Sequence, residues 1–382
     1  MQLVITEKPR AAIKIAEALA ESKVQKRSVS GVPYYEFTRD GKKIVVACAV
    51  GHLFGIAEKV KSSKYPVEEL EWKPKESFAK KYASVLKNLA SSAEDFIIAC
   101  DYDIEGEIIG LNVLRFLCNQ QDAKRMKFST LTKEELEKAY EKAASHIDWG
   151  QAIAGETRHH LDFMYGISLS RALMQAIKKG GTYKKLSIGR VQGPTLALLV
   201  KREKAIAKFK SEFYWQVFLL VKDEKGNEAI VAYPKNILKE AEAQEFQKLK
   251  GKYGDAITTK EEARVSPPAP FDLTTLQVEA FKHLGLTPSQ TLQIAQTLYL
   301  EGLISYPRTA SQKLPAAIGY RAILQKLAKQ FPELAKHAKR SGPIEGEKTD
   351  PAHPAIFPTG ERADKLTAVE RAVYELITRR FL

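Results

Sequence analysis

Residues 95–107, DFIIACDYDIEGE, set an apolar run directly before a cluster of acids. The run Asp95–Cys100 shows no polar alternation, the pattern of a strand covered on both faces in a parallel sheet. In an extended continuation alternate side chains share a face, so Asp101, Asp103 and Glu105 are expected to converge. Carboxylates gathered at the end of a buried strand repel one another unless a cation sits among them. All-oxygen donors suit Mg²⁺ better than zinc. The same acids also suit a solvated loop that leads into the positive end of a helix, with no ligand involved.

Working outward, Gln2–Thr6 (QLVIT) is a second apolar run, and it ends at Glu7. Pro9 then stands where a first helical turn tolerates it, and Ala12, Ile13, Ile15, Ala16 and Leu19 form an apolar helix side. Lys43–Val50 (KIVVACAV) is a third run, and helical stretches are expected at Phe78–Ser91 and Gly106–Leu117. Alternating strands and helices predict an α/β layer over residues 1–148. Ligands of open α/β sheets bind beyond the carboxyl ends of the strands, so Glu7 and the acidic cluster are expected to meet there. Neither G-x-G-x-x-G after the first strand nor G-x-x-x-x-G-K-[ST] occurs, which removes support for a dinucleotide site and a P-loop ATPase.

Beyond the layer, residues 150–178 read as one long helix, and a second begins near Val191 after Gly180–Gly181. Phe213–Val221 and Glu228–Tyr233 flank the turn-forming DEKGN at 223–227 and predict a hairpin. A polar helix is expected near Lys239–Lys250, and SPPAP at 266–270 is a stiff connector. Thr287-Pro-Ser-Gln290 is a capping box opening a helix that runs to Leu300. Residues 300–311, LEGLISYPRTAS, then give a glycine stop, an extended run and Tyr306 in a proline-stiffened turn close to Arg308. A tyrosine so placed is either an activated nucleophile or a packed aromatic. The tail, Ala368–Leu382, is another amphipathic helix. The expected division is residues 1–148, a helical segment 149–208, a β-rich segment 209–265 and a tyrosine domain 272–382.

A chain of 382 residues with 44% hydrophobic and 28% charged residues is expected to form roughly two to four globular domains. Its formal charge of +14 favours polyanions, chiefly nucleic acid, although a thermophile-like surface would carry the same excess. No run of 18 apolar residues is present, so no membrane span is expected. The start MQLVITEKPR reads as strand and helix, not as an export signal, and a cytoplasmic location is expected. Cys48, Cys100 and Cys118 lack a Cys-x-x-Cys pair, which argues against a disulfide framework or a structural zinc site.

Taken together, these motifs resemble the type IA DNA topoisomerases. The amino-terminal layer resembles that family's Toprim domain, with Glu7 after the first strand and Asp101, Asp103 and Glu105 as its acidic triad. Ser187-Ile188-Gly189-Arg190-Val191-Gln192 is similar to the family's DNA-binding S-x-G-R-V-Q stretch. PPAPF at 267–271 with LTTLQ at 273–277 is similar to the segment entering the tyrosine domain. The block around Tyr306-Pro-Arg308-Thr309 resembles the active-site Y-x-R-T, and HPAIFPT at 353–359 the family's H-x-A-I-x-P-T. Glu7-Lys8-Pro9 and Tyr306-Pro307-Arg308 stand closer to the topoisomerase III and archaeal branches. The resemblance implies a multidomain α/β plus α and β fold, with a Rossmann-like Toprim domain and a winged-helix-like tyrosine domain. The family's toroidal core normally continues past the point where this chain stops, so a fragment or shortened form is expected.

The resemblance further implies ATP-independent cleavage of one strand through a 5′-phosphotyrosine at Tyr306, then strand passage and religation. A tyrosine phenol, with its ordinary pKa near 10, needs cationic help. Arg308 and Lys8 are expected on the scissile phosphate, Glu7 as the proton donor to the leaving 3′ oxygen, and Glu7, Asp101, Asp103 and Glu105 around Mg²⁺. Expected DNA contacts are Ser187–Gln192, His52, Arg158, Arg171, Lys178 and His353; for the last five a structural role explains the residue about as well. Single-stranded or negatively supercoiled DNA is the expected partner, with a helicase or single-strand-binding protein as an auxiliary, and a monomer is expected. Two rivals remain: another Toprim-type Mg²⁺ nuclease or primase, and a DNA-binding fragment that cleaves without full relaxation.

Overall fold

A computed structural model describes residues 1–76, 78–362 and 364–382. They form two compact units, Met1–Ser187 with Ser266–Leu382, and Ile188–Val265.

The first unit is built on strands β1 (Gln2–Thr6), β2 (Gln25–Val29), β3 (Val32–Arg39), β4 (Lys42–Cys48), β7 (Asp95–Ile98) and β8 (Lys124–Arg125), in the order β2-β3-β4-β1-β7-β8. β1 lies parallel to β4 and β7, and β7 to β8, whereas β2, β3 and β4 join antiparallel. The apolar runs form the central strands because each side chain has a core to enter. Val4, Val46 and Ile97 share one with helix α1 (Pro9–Leu19). Leu3, Ile5, Val45, Phe96 and Ile98 share the other with α2 (Ala79–Ala90) and α3 (Ile104–Val113). A separate hairpin pairs β5 (Phe54–Glu58) with β6 (Leu70–Pro74). Helices α4 (Lys133–Glu141) and α5 (Trp149–Lys179) follow.

One expectation fails at the acids. The chain does not stay extended after β7, because Asp103 caps α3 by accepting the Gly106 amide at 2.7 Å. Glu105 therefore sits in a helical turn, and its side chain leaves the face used by Asp101 and Asp103. Gly106 is required for this turn, since a Cβ there would stand 2.0 Å from the Asp101 carbonyl oxygen. Gly155 lets α5 approach α3 closely, as a Cβ would meet the Ile104 carbonyl at 2.8 Å.

The C-terminal part of this unit holds α8 (Leu273–Leu284), α9 (Pro288–Leu300), α10 (Tyr320–Gln330), the single-turn α11 (Pro332–Ala335) and α12 (Ala368–Phe381). α9 opens on the Thr287–Gln290 capping box. It closes with Gly302 at φ +79°, where the amides of Gly302 and Leu303 reach back to the carbonyls of Tyr299 and Leu298. This stop turns the chain into the extended Leu303–Ser305, which bonds to residues 357–359 through Ser305 N–H to Phe357 O and Thr359 N–H to Leu303 O, both 2.9 Å. Leu298, Tyr299, Ile304, Tyr306, Val373 and Tyr374 complete the same core as Ile15, Val46 and Ile97. The tyrosine segment is thus packed onto the sheet on its α1 side.

The second unit holds α6 (Gln192–Lys208), the hairpin β9 (Phe218–Lys222) and β10 (Glu228–Ala232), and α7 (Glu240–Glu245). Asp223 builds the expected hairpin turn by accepting the amides of Lys225 and Asn227. Among the described residues, no helix is long and apolar enough to cross a membrane.

Candidate active site

β1 and β7 end side by side, so Glu7 and Asp101 emerge at one edge of the sheet. Lys8, the N-cap residue of α1, lies between them, 3.3 Å from Glu7 and in an ion pair with Asp101. Burial and then the charge of Asp101 lift the Glu7 carboxyl to about 7. Burial opposes the charge on Lys8, but Asp101 and Glu7 outweigh it and hold its pKa above the usual value.

Tyr306 enters this corner from the C-terminal region with only 2% of its surface exposed. Its amide donates to Ser129 O at 2.7 Å and its hydroxyl donates to Asp103 Oδ2 at 2.5 Å. Tyr299, at the end of α9, meets the Tyr306 ring edge-on at 5.2 Å and donates to Asp101 Oδ1 at 3.1 Å. Burial, followed by Asp101 and Asp103, pushes the Tyr306 phenol far above its ordinary pKa. In this closed arrangement the phenol holds its proton.

His353 covers the other side of the ring, with centroids 4.6 Å apart. Its Nε2 donates to Tyr102 O at 3.0 Å, so Nδ1 is left to accept from the Ser129 hydroxyl at 2.9 Å. Burial lowers its pKa and keeps the ring neutral. Arg308 is exposed, with no ion-pair partner among the described residues. Glu7, Asp101 and Asp103 offer only oxygen donors, and Lys8 pairs with two of them, Glu7 and Asp101. That donor set fits a hard divalent cation such as Mg²⁺.

Glu105 belongs to a different cluster. Its Oε2 accepts from Nε2 of His52 at 2.8 Å and of His159 at 3.0 Å, and Arg158 stands 3.4 Å from Oε1. These imidazoles, His159 first, hold its pKa well below the carboxylate range. Arg158 also faces Asp162 at 3.8 Å. Arg171 is committed to a two-pronged pair with Glu58, both contacts 2.7 Å, while Lys178 is exposed near the end of α5. Ser187, Ile188, Gly189, Arg190 and Val191 precede α6, and Gln192 is its first residue; Arg190, Val191 and Gln192 are exposed.

Several contributors carried no local sequence signal. Arg125 is fully buried, pairs with Glu107 at 2.7 Å and donates to the carbonyls of Cys100, Asp101 and Met126, fixing the backbone from which Asp101 projects. Tyr299, Ser129 and His159 likewise come from helices and loops outside the acidic run.

Residues 2–131 match the Toprim domain and residues 146–382 the DNA topoisomerase family. DNA topoisomerase 1 of Pyrococcus horikoshii is 46% identical over 403 residues, covering 100% of this chain and 58% of that protein. Its namesake in Methanocaldococcus jannaschii is 44% identical over 395 residues, covering 100% and 51%. Full-length topoisomerase I of Thermotoga maritima superposes with a TM-score of 0.68 at 26% identity, over 99% of this chain and 60% of that one. The chain spans about half the length of the curated relatives it matches. The expected order, a Toprim sheet followed by a mainly helical region, is borne out.

Proposed function

The chain belongs to the type IA DNA topoisomerases, and from that membership we propose that it cleaves one DNA strand through Tyr306. The observation that carries this reading is the buried Tyr306 phenol, bonded to Asp103 beside Asp101, Glu7 and Lys8. Tyr306 Oη attacks the phosphorus and its proton leaves along the bond to Asp103. The bond from phosphorus to O3′ breaks, and O3′ takes a proton from Glu7, whose pKa near 7 keeps a donor population at neutral pH. The phosphate stays on Tyr306 as a 5′ ester, so religation is the same path reversed, without ATP. Lys8 and the exposed Arg308 offset charge on the phosphate. Mg²⁺, held by Asp101 and Asp103, would supply positive charge that lowers the cost of the phenolate, leaving Glu7 to carry the proton for O3′.

The stretch from Ser187 to Gln192 is the proposed DNA-backbone segment, with Arg190 and Gln192 as its polar contacts. The tyrosine segment docks on the sheet, so its withdrawal is the proposed opening of the gate. Because the chain spans about half of its relatives, cleavage and religation are proposed for it, and relaxation for the longer architecture. Incubation with a single-stranded oligonucleotide is expected to give a denaturant-resistant adduct that Tyr306→Phe abolishes. No adduct overturns the reading in favour of a non-covalent Toprim nuclease, and an adduct undiminished by Tyr306→Phe overturns it in favour of a different nucleophile. Relaxation of negatively supercoiled plasmid separates the second question: cleavage without relaxation is expected.

A further inference from the structure

Glu105, turned away from the Tyr306 corner by the start of α3, is bonded by two imidazoles, and that arrangement has chemistry of its own. We infer that His52, Glu105 and His159 form a binding site for a borderline divalent cation of the Zn²⁺ class. The three donor atoms lie within 4.8 Å of one another. A four-coordinate Zn²⁺, with bonds of about 2.0–2.2 Å, holds neighbouring donors roughly 3.3 Å apart. The carboxylate–imidazole separations of 2.8 and 3.0 Å would open by a few tenths of an ångström, and the two imidazole nitrogens, within 4.8 Å of each other, would draw together.

The donors come from three supports. Val50 and Gly51, at φ +52° and +77°, make the turn that aims His52, and the Gly51 amide is tied to Glu7 O at 3.1 Å. Glu105 stands in the first turn of α3. His159 stands on α5, seated against α3 through Gly155. Nδ1 of His52 is buried without a partner, so its single polar contact is made by the Nε2 that faces the cluster. The rings of His52 and His159 lie 4.8 Å apart, and Trp72 packs 5.5 Å from His159, walling one side with apolar surface.

Two nitrogen donors and one oxygen, with a fourth position left to solvent, select a transition metal over Mg²⁺, which takes oxygen ligands. The site is therefore distinct in preference from the all-oxygen set at Glu7, Asp101 and Asp103. One consequence, which unlike the site itself rests on the proposed function, is that Zn²⁺ bound here keeps Glu105 from serving as a third acid beside Asp101 and Asp103.

The test is a Zn²⁺ titration of the chelator-stripped chain in excess Mg²⁺ with a competing chromophore, repeated with Co²⁺ followed by visible absorption. One ion per chain is expected, with the strong visible bands of low-coordinate Co²⁺. His52→Gln, His159→Gln and Glu105→Gln are each expected to weaken binding at least about 100-fold, since even outer partners of a metal ligand are worth 10–100-fold. His146→Ala, at the surface pair with Asp122, is expected to leave binding unchanged. Thermal melts followed by circular dichroism identify the variants that remain folded. Absence of stoichiometric binding, or binding retained in folded His52→Gln and His159→Gln, overturns the assignment. Neither result depends on DNA cleavage, so the proposed function stands or falls separately.

Discussion

Asp103 and Glu105 are two residues apart, yet they serve opposite corners of the same sheet edge. Asp103 caps α3 and accepts the proton-bearing hydroxyl of Tyr306, in a pocket of oxygen donors where burial raises Glu7 and the phenol. Glu105 lies one step into the helix and is held ionised by His52 and His159. The difference arises from one backbone event, the capping of α3 at Asp103. A strand continuing through these residues would have aligned all the acids; a helix starting there divides them. The first corner holds protons on Glu7 and Tyr306, and the second offers nitrogen donors.

The largest test of this division removes what holds the first corner in place. Arg125→Met is expected to cost about 3–5 kcal/mol in chemical denaturation, because Glu107 is left buried and unpaired and the carbonyls of Cys100 and Asp101 lose their donor. Adding Glu107→Leu is expected to recover much of that loss. If Arg125→Met alone proves neutral, Arg125 does not organise the strand end.

A smaller effect is expected where α3 begins. Gly106→Ala pushes a methyl group against the Asp101 carbonyl, and an overpacking cost of about 1–3 kcal/mol is expected, together with reduced adduct formation at temperatures where the variant is folded. Unchanged stability would mean that the turn relaxes freely and that the separation of Asp103 from Glu105 is soft.

The smallest effect concerns His353. Burial lowers its pKa in the folded state, so on acidification below about 6.5 the unfolded chain takes up a proton first. Stability is then lost as pH falls from that value toward the folded pKa, with a slope of at most about 1.4 kcal/mol per pH unit. His353→Gln is expected to flatten that part of the stability profile; an identical slope would show that His353 is not the group titrating.

Much of this was legible in the sequence, for identifiable reasons. The runs at Gln2–Thr6, Lys43–Val50 and Asp95–Cys100 announced central strands because burial on both faces forces continuous apolarity. β2 was not, since QKRSV is exposed along its whole length and leaves no hydrophobic pattern. Glu7, Asp101, Asp103 and Tyr306 could be named because each stands at the end of a readable element. Their convergence with Lys8 is geometry of the folded unit, and the departure of Glu105 depended on where a helix starts, which an extended reading of D-x-D-x-E misses. Arg125 was invisible because, in a chain of net charge +14, an arginine in AKRMKF looks like surface. His159 and Tyr299 were hidden for a related reason: long-range partners leave no spacing to read.

The central claim is that the Tyr306 corner makes a covalent bond to the 5′ side of a broken strand. The direct measurement uses single-stranded oligonucleotides labelled at either end, quenched with denaturant and resolved by size. The account predicts that the 3′ label is retained on the protein, that the 5′ label is released on a fragment ending in a free hydroxyl, and that Tyr306→Phe yields neither. Retention of the 5′ label, or an adduct that survives Tyr306→Phe, would contradict it.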